Sequence, residues 1–149
     1  MPQSLSLIYV HLVFSTKGRA RIIPAGLQPR LHAYLAGAMN DIGCPAVNIG
    51  GMPDHVHLLF RLARTISLSD AVKTAKVESS KWKKDEGAVH DFAWQAGYGA
   101  FSVSASDVDD VTAYIANQEH HHRVRTFQDE FRRLLERYHV EYNEAYVWD

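Results

Sequence analysis

The sequence predicts one α+β domain. Strand-like runs at 4–15, 45–61 and 92–104 alternate with stretches whose apolar residues recur at helical spacing. No linker, internal repeat or low-complexity segment divides the 149 residues. With 46% hydrophobic and 22% charged residues, the chain can bury a real core and does not have a disordered composition.

Ser4–Ser15 is rich in β-branched and aromatic residues and predicts a central strand, with His11 on the same face as Tyr9 and Val13. His11 reads as a half-buried histidine bonded within the sheet, or as a groove residue touching substrate. Thr16–Arg21 is a turn carrying Lys17, Arg19 and Arg21 and no acid, suited to solvent or to phosphate. Pro24 marks a helix start, and Leu27, Leu31, Tyr34, Leu35 and Ala38 form an apolar face that Gly43 ends. Cys44, beside Pro45, reads as a small core residue.

Pro45–Gly50 and His55–Arg61 predict a hairpin across the turn Gly51–Asp54. Ser67–Asp70 offers capping groups for a helix carrying Lys73, Lys76, Ser80, Lys81 and Lys84, which Asp85-Glu86-Gly87 ends. Lys73, Lys76, Ser80 and Lys84 step by three or four and share one stripe, either a solvated face or a DNA-backbone contact. Phe92–Ser104 reads as an aromatic, glycine-rich strand whose Trp94 and Tyr98 suit the core better than base stacking. Acids at Asp107, Asp109 and Asp110 open a helix containing Val111, Tyr114, Ile115 and Gln118. His120-His121-His122 follows and reads as a solvated loop, with metal or DNA contact as the alternative. A last amphipathic helix runs from about Phe127 to Tyr138, and the acidic, aromatic tail Val140–Asp149 is suited to packing on a partner subunit.

The net charge of −1 conceals an asymmetry. Residues 1–84 hold eleven Lys/Arg and four Asp/Glu, whereas residues 85–149 hold five and thirteen. A basic half can face a polyanion, so the distribution keeps nucleic acid open where the total argues against it. No apolar run approaches the roughly 18 residues that cross a membrane. Met1-Pro2-Gln3-Ser4 lacks a basic-then-apolar signal pattern, and one cysteine excludes an internal disulfide framework. Together these predict a cytoplasmic protein.

The chemistry lies in two motifs. His55 and His57 flank Val56 and project from one strand face, as two imidazole ligands for a divalent metal would. Tyr114 and Gln118 are neighbours on one helix face. Alone, Tyr114 reads as a partly buried aromatic and Gln118 as a surface residue. Together the four make a site, with His55, His57 and Gln118 as ligands and Tyr114 as a nucleophile that attacks phosphorus.

On these residues the chain resembles the HUH-type single-tyrosine transposases (TnpA-like) of small bacterial insertion sequences. The resemblance rests on Pro53-Asp54-His55-Val56-His57 and Tyr114-Ile115-Ala116-Asn117-Gln118, about sixty residues apart. The strand Tyr9–Ser15, Ser79-Ser80-Lys81 and Gly97-Tyr98 add to it. It implies a ferredoxin- or RRM-like antiparallel sheet with helices on one face. It implies a Mg²⁺ or Mn²⁺ site, and an obligate homodimer whose tyrosine helix completes the partner's site. It implies recognition of DNA hairpins, and single-strand cleavage and rejoining through a 5′-phosphotyrosine and a free 3′ hydroxyl. Asp54 would then orient a ligand histidine.

Two other functions compete. The basic, aromatic N-terminal half would also suit a non-catalytic RRM-like nucleic-acid-binding module. The metal site would also suit a phosphoesterase using water. A domesticated relative processing chromosomal repeat hairpins would carry the same motifs. A bacterial or archaeal host follows from the resemblance.

Overall fold

The computed structural model describes residues 2–85, 92–123 and 125–149, and only the backbone of 83–85. Four strands, β1 (Tyr9–Ser15), β2 (Ala46–Met52), β3 (His55–Arg61) and β4 (Gly99–Val103), form one antiparallel sheet in the order β2-β3-β1-β4. The helices are α1 (Gln28–Asp41), α2 (Leu68–Asp85), α3 (Val108–Ala116), α4 (Gln118–His121) and α5 (Phe127–Arg137). This is the ferredoxin-like arrangement that the resemblance implied.

Strand alternation sends Val10, Leu12 and Phe14 of β1 and Val56, Leu58 and Phe60 of β3 to one face. There they bury against Leu31, Leu35 and Met39 of α1 and Ala71, Val72 and Ala75 of α2. Each fully buried Leu or Phe contributes roughly 1.5–3 kcal/mol. Cys44 lies within this core, as expected. Trp94 is also core, packed edge-on to Phe14 and donating its indole N–H to Ser79 Oγ at 2.9 Å.

Helices were expected on one face, and α1 and α2 meet that expectation. The opposite face is covered as well. There Ile115 of α3 packs on Leu59 and Val103, and Phe127, Phe131, Leu134 and Leu135 of α5 pack on Val13 and Phe101. The physical reason is that Val13, Leu59, Phe101 and Val103 point to this face and need cover of their own. Gly99 makes the α5 contact possible, because a Cβ there would lie 2.6 Å from the Phe131 ring.

Other boundaries differ from expectation. β1 begins at Tyr9, and Leu5, Leu7 and Ile8 before it are exposed. Only Gly99–Val103 of the run 92–104 is strand; before it, a lone bridge joins Trp94 to Thr16. The tail packs on its own chain: Tyr142, Val147 and Trp148 join the α5 cluster, and Asp149 C=O accepts from Gly97 N–H at 2.8 Å. Glu144 is paired with Arg132.

His32 of α1 is held down to about 4 by burial. Its folded value lies below the unfolded 6.5, so the unfolded chain takes the proton first as pH falls. Stability is therefore full above about pH 6.5 and declines toward pH 4. Thermal melts at pH 7 and 4.5 should show a smaller loss for His32→Gln than for the parent chain; equal losses would refute the assignment.

Candidate metal and tyrosine centre

The site is built on β3 and closed by the helices of the second face. A two-residue turn, Pro53-Asp54, joins β2 to β3. It is anchored where Ile23 N–H donates to Pro53 C=O at 3.0 Å and Thr16 N–H to Asp54 C=O at 2.9 Å. His55 and His57 then share the α3–α5 side of the sheet and are fully buried. In the register, His57 lies opposite Val13 and His55 opposite Ser15.

Three histidines present Nε2 to a common centre, because each has its Nδ1 engaged elsewhere. His55 Nδ1 meets Asp54 Oδ1 at 2.7 Å, His57 Nδ1 meets His11 Nε2 at 2.8 Å, and His122 Nδ1 donates to Arg125 C=O at 2.8 Å. Tying up the far nitrogen in this way sets the ring orientation and tautomer of metal-binding histidines. Glu130 Oε1 lies 3.4, 2.9 and 3.3 Å from Nε2 of His55, His57 and His122. Gln118 Oε1 is 3.1 Å from Nε2 of both His55 and His122. The other Glu130 oxygen, Oε2, accepts the Tyr114 hydroxyl. Ligand atoms of His55, His122 and Glu130 lie within 4.8 Å of one another, close enough to share one ion.

Burial pushes the Glu130 carboxyl up, but the charge of His57 and hydrogen bonds from three histidines outweigh it and hold it well below the carboxylate range. Burial lowers His55, yet Asp54 and Glu130 lift it to about 9. Burial, aided by His57, brings His11 to about 3, so His11 accepts as a neutral ring. Burial, reinforced by the Glu130 charge, raises the Tyr114 phenol, which is protonated at neutral pH.

Of the expected site residues, His55, His57, Tyr114 and Gln118 converge within one chain. Gln118 is 2% exposed rather than a surface residue. The helix carrying Tyr114 breaks at Asn117, so Gln118 opens α4 instead of continuing α3. The reading of His120–His122 as a solvated loop is corrected. His122 points inward, His121 stacks on Tyr114 with ring centroids 4.5 Å apart, and His120 alone is exposed. Sequence reasoning missed Glu130. Its one signal was a carboxylate at the buried position of an α5 face that otherwise reads Phe127, Phe131, Leu134.

A family model described as "Transposase IS200 like" matches residues 4–118. The chain belongs to the IS200-like transposase family. The match spans the β3 histidines, Tyr114 and Gln118, and ends before His122 and Glu130. A solved protein of Deinococcus radiodurans R1, assigned as a transposase, is 24% identical and superposes with a TM-score of 0.61. The match covers 79% of this chain and 98% of that one. A REP-associated tyrosine transposase bound to a REP hairpin is 13% identical, with a TM-score of 0.56 over 78% of this chain and 72% of that one. At these identities the two structures establish the shared fold. No curated protein matches the chain significantly.

The expected DNA contacts of this transposase-family chain fare unequally as surface groups. His11 is 2% exposed and bonded to His57, so it offers nothing to a ligand. Lys76 is spent inside the protein, donating to the carbonyls of Gln95, Ala96 and Gly97 at 2.7–3.1 Å. That breaks the stripe, although Lys73 and Lys81 remain exposed and Ser80 half-buried. The Lys84 side chain lies outside the described residues. Lys17 and Arg21 are exposed, and Arg19 lies over the Trp148 ring. A cleft of about 400 Å³ opens beside His122 and is lined, besides Asp54 and Asp129, by Arg21, Arg123 and Arg125. The last two come from the acidic half of the chain and were not anticipated. Among the described residues, no helix is long and apolar enough to cross a membrane.

Proposed function

We propose that the chain cuts and rejoins single-stranded DNA at hairpin-marked element ends, using Tyr114 as nucleophile and a divalent ion, Mg²⁺ or Mn²⁺. The observation that carries this reading is the hydrogen bond from the Tyr114 hydroxyl to Glu130, whose carboxylate also touches His55, His57 and His122. A nucleophile, an acceptor for its hydrogen bond and a donor-rich centre thus meet in one place. Water as the nucleophile would leave that placement of the phenol without a purpose.

Of the residues that the family resemblance assigns to the ion, His55 and Gln118 face each other directly, and His57 reaches the centre through Glu130. An ion held there supplies Lewis-acid polarisation of the scissile phosphate. The chain's own residues do the rest. Tyr114 Oη forms a bond to phosphorus and loses its proton to solvent; Glu130 Oε2 accepts the hydroxyl's hydrogen bond and orients it, its own carboxyl being held too low to keep the proton. The bond from phosphorus to the 3′ oxygen breaks, and that oxygen leaves as a 3′ hydroxyl after taking a proton from solvent. The DNA then remains joined to Tyr114 through its 5′ phosphate, and the reverse attack rejoins strands. Arg21, Arg123 and Arg125 line the neighbouring cleft and suit the flanking phosphates.

The test is incubation with hairpin-bearing single-stranded DNA and Mg²⁺ or Mn²⁺, followed by denaturing electrophoresis. A protein band shifted by covalent DNA is expected. Turnover without a shifted band would transfer the reading to a water-using phosphoesterase, and metal-independent binding without cleavage to a binding module. Gln118 lies 3.1 Å from His55 of its own chain here, and in the homodimer that the resemblance implies the same pairing would form between chains. If the homodimer forms, exchange of the tyrosine helix would be a rearrangement of this arrangement.

A further inference from the structure

We propose that the cavity between α1, β2 and the α3–α4 junction is a base-reading pocket, which takes the nucleobase beside the scissile phosphate and prefers one with an exocyclic amine. The inference rests on the reading above in requiring that single-stranded DNA passes the Tyr114 centre.

The cavity measures about 540 Å³, within the size range of pockets for small organic ligands. It adjoins the reacting centre through Gln118, the side chain whose Oε1 meets His55 and His122. Arg21 and Met52 line both this cavity and the arginine cleft beside His122, so the two meet at the β2–β3 turn. A strand laid with its phosphates on Arg21, Arg123 and Arg125 therefore passes the mouth of the cavity.

Ile49, Met52 and Ile115 give the cavity apolar walls for the flat faces of a base. Its polar groups suit the edge of one. The side chains of Gln28 and His32 make no hydrogen bond among the described residues. Burial keeps the His32 ring neutral at physiological pH, so it can accept as well as donate. Asn48 gives its amide N–H to Thr112 C=O at 3.1 Å, which fixes its Oδ1 as an acceptor. Glu119 also lines the cavity, and its carboxylate repels a phosphate, so the base rather than the backbone enters. Arg21, the cation shared with the cleft, is turned toward Asp54 at 4.0 Å. The two groups of fixed role, Asn48 Oδ1 and the Glu119 carboxylate, are thus both acceptors. They match the amine of cytosine or adenine and oppose the carbonyl that uracil or thymine carries there. A site built to bond an N–H rejects an analogue lacking it, because its own buried polar groups are left unpaired.

Fluorescent decamers of deoxycytidine and of deoxyuridine should be titrated by anisotropy in alkaline buffer with metal removed, so that no strand is cut. The two bases are alike in size and carry an amine or a carbonyl at C4. The expected result is at least tenfold tighter binding of the deoxycytidine decamer. Asn48→Ala removes an acceptor, and Ala25→Trp fills the cavity from an exposed lining residue; each should bring the two affinities close to equal. Lys73→Ala, on the exposed face of α2, should leave their ratio unchanged. Melting checks the fold; if Asn48→Ala does not fold, Ala25→Trp decides. Equal affinity for the two decamers, binding of neither, or a parental ratio in the folded variants would overturn the proposal. The expected preference without any adduct on hairpin-bearing DNA would keep this inference and remove the strand-transfer reading. An adduct without the preference would do the reverse.

Discussion

Tyr114→Phe should abolish the covalent protein–DNA adduct while leaving hairpin binding within a fewfold of the parent chain. The substitution removes the one atom proposed to bond phosphorus and keeps the ring that His121 stacks on. Loss of a covalent nucleophile lowers the chemical step by roughly a thousandfold or more. The variant also leaves Glu130 Oε2 without its hydroxyl partner, at a cost of about 1–3 kcal/mol in stability. Adduct yield on denaturing gels and hairpin affinity by gel shift separate the two effects. An adduct of parental yield would show that another group attacks phosphorus.

Gly50→Val should have the second-largest effect, and it acts at a distance from the reacting atoms. β2 runs directly under the end of α3. A Cβ at Gly50 would lie 2.6 Å from the Ile115 carbonyl oxygen and 2.8 Å from its Cγ2. The backbone oxygen cannot swing aside as a side chain can, so the last turn of α3 must lift from the sheet. Ile115 sits between Tyr114 and the Asn117 break, and lifting it withdraws Tyr114 from Glu130 and Gln118 from His55. Overpacking of this kind costs about 1–3 kcal/mol. A displacement of about 1 Å at a reacting group lowers rate by about a hundredfold. The expected result is a folded chain with adduct formation reduced by at least that factor. Parental adduct formation in a variant of parental melting temperature would show that α3 is not held by this contact.

Much of this arrangement is legible in the residues. Alternation along Tyr9–Ser15 and His55–Arg61 identifies which side chains share a face, because a strand has a period of two. The pairing of Pro-Asp-His-Val-His with Tyr-x-x-x-Gln identifies the centre, since each motif is local and its spacing survives folding. Leu31 and Leu35 of the expected α1 face, which the structure extends to Met39, and the serine cap of α2, where Asp70 N–H donates to Ser67 Oγ at 3.1 Å, are local as well.

What the tertiary structure decided are the relations that no local period encodes. Glu130 enters the centre because α5 crosses the second face of the sheet, and its neighbours Phe127 and Phe131 give no hint of where the carboxylate points. His122 enters because the chain turns after α4 and Arg125 C=O takes its Nδ1–H; in sequence it is one of three equivalent histidines. Lys76 leaves the basic stripe for the same reason, since carbonyls of residues 95–97 pass over it from far along the chain. The sequence by itself determined which runs become strands and helices, though not their bounds, and it determined the family and the four residues whose motifs announce the chemistry. Burial decided the rest: a polar group removed from water must find partners, and those partners come from whichever elements packing brings alongside.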